Sequence, residues 1–172
     1  MSRRSVMRPG DFLALVDQMF ETAKELMAKD GVLIHVLALL DCHGREKLVV
    51  NDSDEPFSQQ TQRIQAIIRR HRACAGVSIA GARLAWLTLS GDPQVDGLRP
   101  VDRPDREEVV AVSGTWPVMG ITHTRVATVL RPSEGVVDVV DLDIAGAERA
   151  AGLPADGLLS SSSWLSPLLP EY

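Results

Sequence analysis

Between residues 11 and 29 the apolar positions Phe12, Leu15, Val16, Met19, Ala23, Leu26 and Met27 recur three and four apart, so they fall on one stripe of a helix. Asp11 is placed to cap its start. Gly31 is placed to end it, because glycine takes the left-handed backbone without a Cβ penalty. The pattern then changes: Val32–Leu40 is apolar at both alternate sets of positions, which predicts a strand covered on both faces. Asp41-Cys42-His43-Gly44 has the composition of a tight turn and Glu46–Val50 resumes a strand, so the two runs predict a hairpin.

Residues 51–56 read as a loop leading into a second helix, with Asp54 able to cap and Pro56 suited to the first turn. Phe57, Ile64, Ile67, Ile68, His71 and Cys74 share one face of that helix, and Gln59, Gln62, Arg63, Arg69, Arg70 and Arg72 the other, with Gly76 as the expected stop. Ala82–Leu89, carrying Trp86, predicts a third strand, and residues 90–107 a long loop. Glu108–Ser113, Ile121–Arg131 and Val136–Leu142 predict further strands, the last two joined through Pro132-Ser133-Glu134-Gly135. A short helix is expected over Ile144–Ala151, and residues 153–172 form an apolar tail rich in Ser, Leu and Pro.

Residues 1–152 are therefore expected to form one α+β domain: a mostly antiparallel sheet of five to six strands covered by two main helices. The order α-β-β-α-β-β-β-α is similar to that of profilin-like and roadblock-like modules, in order only. A chain of 172 residues, 45% hydrophobic and 24% charged, has the composition of a self-sufficient globular core. Two cysteines are too few for a disulfide scaffold. The opening residues lack an apolar run of signal-peptide length, and His35 interrupts the longest apolar stretch, so a cytoplasmic protein outside the membrane is expected. Arginine outnumbers lysine 15 to 3, which fits a GC-rich bacterial source.

The net charge of −5 is concentrated late in the chain: residues 1–131 hold 17 basic and 16 acidic residues, and 132–172 one basic and seven acidic. That distribution argues against the broad basic face of a nucleic-acid binder, as does an aromatic content of 4%. Arg69-Arg70-His71-Arg72 has a helical reason to exist, since cations in a last turn oppose the helix dipole.

Candidate chemistry is sparse. Cys42, His43, His71 and Cys74 make a two-cysteine, two-histidine set of the kind that holds zinc, with His71 and Cys74 on one helical face. Adjacent Cys42 and His43 fit one tetrahedral ion poorly, and without zinc the set reads as a core histidine beside a buried thiol. No cofactor is otherwise expected. Gly76 and Gly81 have phosphate-loop spacing, but Ala82-Arg83 stands where that loop needs lysine and a hydroxyl. His35, in step with Leu33, Leu37 and Leu39, reads as core, and His123 as a surface position. Asp138, Asp141 and Asp143 lack the spacing of a calcium loop.

Leu158, Leu159, Trp164, Leu165, Leu168, Leu169 and Tyr172 make the tail too apolar to stay in water. It is expected to pack on the domain or on a partner, with Trp164, Leu165, Leu168, Leu169 and Tyr172 as interaction residues. The leading expectation is a non-enzymatic interaction or assembly domain, an oligomer or complex subunit whose partner is protein, self or other. The alternatives are an enzyme of unrecognised family, with a site between the 90–107 loop, the Cys42-His43 turn and His123, and a small-ligand sensor.

Overall fold

A computed structural model describes residues 6–51, 54–84, 107–143 and 165–170. Its first helix, α1, runs Pro9–Asp30 and buries Phe12, Val16, Phe20, Ala23 and Met27, the stripe expected from the spacing. Asp11 sits in the first turn and does not form the cap itself. Arg8 occupies the cap position, Pro9 follows where a missing N–H costs nothing, and the Asp11 carboxylate accepts the Arg8 amide at 3.3 Å. Gly31 ends the helix with φ 71°, its N–H bonded to the Met27 carbonyl at 2.9 Å.

The hairpin is β1 Val36–Asp41 and β2 Glu46–Val50. Residues 32–35 lie outside the strand, contrary to expectation, and Val32 and Ile34 are 69% and 66% exposed. The turn is organised by Asp41, which is 2% exposed. Its carboxylate accepts the amides of His43 at 2.9 Å and Arg45 at 3.0 Å, and the Arg45 guanidinium closes on it at 2.5 Å. Burial pushes the Asp41 pKa up, but these hydrogen bonds outweigh it and hold the group at about 2.

Helix α2 is Phe57–His71, with Pro56 at its cap position. It ends earlier than the periodicity suggested: Arg72 takes φ 55°, and strand β3, Ala73–Leu84, begins at once. Gly76 and Gly81 are thus strand residues, and Cys74 leaves the helix for the sheet. Phe57 points outward at 69% exposure, so α2 buries Gln60, Ile64 and Ile68 instead.

Strands β4 Glu107–Trp116, β5 Ile121–Ser133 and β6 Val136–Leu142 complete a six-stranded sheet, every neighbouring pair antiparallel, in the order β2-β1-β3-β4-β5-β6. The β5–β6 turn contains Gly135 at φ 77°. Among the described residues, two α-helices and six antiparallel strands make this an α+β fold, as expected.

The sheet has one helix on each face. Helix α1 lies across β3 to β6, and its core includes Val77, Val110, Val112, Trp116, Ala127 and Val129. Helix α2 covers the other face over β1 and β3, joined by residues 165–170, with Leu37, Leu39, Val49, Ile64, Ile68 and Leu165 at the centre. The expected helix at 144–151 and Trp86, Trp164 and Tyr172 lie outside the described residues.

Candidate functional site

Helix α1 is centred over β4 and β5, so on its face it leaves β2 and the Val36 end of β1 open, while Ala38 and Leu40 of β1 are buried in its core. The result is a groove of about 540 Å³ between α1 and the hairpin. Leu15, Met19 and Leu26 form its helix wall, Val36 and Leu48 its floor, and Leu33 closes one side. Local sequence explains each wall. The α1 stripe is wider than one sheet contact consumes, so Leu26 stays 43% exposed. Gly31 turns the chain back so that 32–34 run along the rim, anchored where the Arg131 guanidinium donates to the Gly31 carbonyl at 2.7 Å.

Strand β2 is the outer edge of the sheet on this side, and among the described residues nothing pairs with its free edge. Alternation places Glu46, Leu48 and Val50 on the groove face and Val49 under α2. Leu48 and Val50 are 58% and 61% exposed. An exposed apolar run beside an unpaired strand edge is a binding or aggregation surface rather than an ordinary exterior.

The other sequence candidates do not assemble. His71 ends α2 and its Nε2 lies 2.9 Å from the Arg45 carbonyl. Cys74 occupies the irregularity where β1 and β3 shift register, and it packs into the α1 core on the opposite face. Burial pushes its thiol pKa up, the reverse of a reactive or metal-bound thiolate. Cys42 and His43 are exposed in the turn, and no group of three or more His, Cys, Asp or Glu able to hold a metal occurs among the described residues. The helical spacing of His71 and Cys74 fails because the helix stops at His71.

Of the three places proposed for an enzyme site, residues 90–106 lie outside the described residues. The Cys42-His43 turn adjoins the start of β3. His123 lies on β5, two strands from β3, its Nε2 3.0 Å from Asp17 Oδ1, which also accepts Arg125 at 2.8 Å. The hydrogen bond from His123 is the largest reason the Asp17 pKa lies below its ordinary value. This is a brace from α1 to β5.

One array had no local signal in the sequence. His35 Nδ1 accepts the Asn51 side-chain amide at 3.1 Å, and its Nε2 lies 3.0 Å from Ser78 Oγ. With Nδ1 accepting, the neutral ring carries its proton on Nε2 and donates to the serine, so it is not placed to take the serine's proton. Ser78 is also mid-strand, 8% exposed and paired with Leu37 and Ser113. The array pins the hairpin instead: the Asn51 amide donates to the His35 carbonyl at 2.8 Å, closing the end of β2 onto the start of β1.

Burial lowers the His35 pKa from 6.5. A depressed folded-state pKa means that the unfolded chain binds the proton more readily. The stability His35 contributes is therefore present above 6.5 and lost as pH falls through the lower folded value. His35→Gln should make the denaturant midpoint fall less between pH 7.5 and pH 5 than it does in the parent. An identical fall in both would show that His35 titrates alike in the folded and unfolded chains.

Among the described residues of the tail, Leu165 and Leu169 are 0% and 4% exposed in the α2 core, and Leu168 packs beside them. No helix among the described residues is long and apolar enough to cross a membrane. No protein-family model, curated protein or solved structure matches the chain.

Proposed function

We propose that this is a non-enzymatic interaction or assembly domain, a subunit of a complex in the cytoplasm of a GC-rich bacterium. Its docking surface is the α1–β1–β2 groove, and its partner is a protein chain. The observation that carries the reading is the contiguous apolar groove beside an unpaired strand edge. A small-ligand sensor would enclose most of its ligand. Here Leu26, Val32, Ile34 and Leu48 border the groove at 43–69% exposure, which suits a macromolecular partner better.

A photo-crosslinking residue at position 34 or 48, in the full chain in its own cells, should give one discrete protein adduct, either a doubled chain or a second protein. The same residue at Glu25, on an exposed part of α1 outside the groove lining, should not. Adding Val32→Asp should abolish the adduct while leaving the fold intact, because an exposed position contributes within about ±0.5 kcal/mol to stability. Adducts equal at 25, 34 and 48, or unaffected by Val32→Asp, would sink the proposal.

A further inference from the structure

We infer that the groove receives an amphipathic helix of a partner protein, apolar on its buried side and basic at both ends. This rests on the interaction reading above and names its occupant. Dimensions give the first reason. Six strands ~4.8 Å apart span about 24 Å, and a helix with its side chains covers about 10–12 Å. Helix α1 takes the width over β3–β6. Its core also takes in Ala38 and Leu40 of β1, so what stays open is β2 and the Val36 end of β1, a strip along the sheet edge on which one helix can lie beside α1.

The lining gives the second reason. Apart from Gln18 and Thr22 on its helix wall, its polar residues are Asp30 and Glu46, and neither carboxylate has an ion-pair partner among the described residues. They mark opposite ends. Glu46 pairs with Leu40, level with Ala75 of β3, while α1 reaches Gly81 of β3 through Met27, one turn before Asp30. Six strand residues separate those levels, about 20 Å at ~3.3 Å each, the length of a helix of about 13 residues. A helix with a lysine or arginine at each end would meet both acids while burying its apolar stripe on Leu48, Val36 and Leu15.

Other occupants fit less well. A strand added to β2 would lie in the plane of the sheet and leave the groove above it open. A second copy has no helix to offer among its described residues, since α1 and α2 each bury their apolar side in their own core.

Two synthetic helical peptides sharing one Leu/Ala stripe, one with lysine at both ends and one with glutamate, would test this against the full chain by fluorescence anisotropy. The lysine peptide should bind about tenfold more tightly. The D30K/E46K double variant should reverse that order, and Ile34→Asp with Leu48→Asp should abolish both while the melting profile stays that of the parent. Equal binding of the two peptides, or lysine-peptide binding that survives Ile34→Asp with Leu48→Asp, would overturn the inference. If that pair of substitutions instead converts a dimer to a monomer, the occupant is a second copy: the helix is refuted and the broader interaction reading survives.

Discussion

Leu165→Ala should lower the free energy of unfolding by about 2–5 kcal/mol, the range for deleting a large aliphatic side chain from a packed core. Leu165 is 0% exposed and lies between α2 and the sheet among Leu37, Leu39 and Ile64. It can sit so deep because residue 76 is glycine: a Cβ there would come within 2.5 Å of Leu165 Cδ2. Removing the isopropyl group opens a cavity that stiff strand neighbours cannot collapse into. At roughly 2–4 °C per kcal/mol for a chain of this size, a thermal melt resolves the effect easily. A loss below about 1 kcal/mol would mean that 165–170 are not seated there. Truncation at residue 153 removes Leu165 and Leu169 together, so a change in solution mass after that truncation would report lost packing before it reported lost docking.

The second large effect is expected from Gly114→Val. Gly114 lies directly beneath α1, where a Cβ would stand 2.4 Å from Val16 Cγ2 and 3.1 Å from Phe12 Cζ. Val16 is β-branched and has little rotamer freedom in a helix, and both neighbours are 0% exposed. The helix must lift from the sheet, at a cost of about 1–3 kcal/mol or more. Gly10→Ala is the matched control: nothing lies within 4 Å of its added methyl, so a helix-favouring residue there should be neutral or mildly stabilising. Denaturant midpoints of both variants test the contrast, and equal midpoints would show that α1 does not rest on Gly114.

Where local chemistry decides the structure, the sequence was readable. The α1 stripe, the Gly31 stop, the β1–β2 turn and the β5–β6 hairpin each follow from residues within a few positions of one another. The α2–β3 boundary did not. Ala73-Cys74-Ala75-Gly76 is small and aperiodic, and the break falls on Arg72, a left-handed residue without glycine's signature. A central strand with partners on both sides wins that stretch from the helix. The His35 array was hidden because His35 and Ser78 are 43 residues apart. The groove left the weakest trace. Leu48 and Val50 have the alternation of core residues, and only the placement of α1 over β3–β6 leaves them bare.

That placement also sets the timing of folding. Helix α1 is complete at residue 30, yet its contacts lie on β4 to β6, as with Asp17 to His123 and Lys24 to Asp141, 106 and 117 positions downstream. At synthesis rates of about 5–20 residues per second, its apolar stripe waits on the order of 5–20 s for the strands that cover it. Helix α1 is therefore made well before the strands that cover it, and its stripe stays uncovered by them until they emerge.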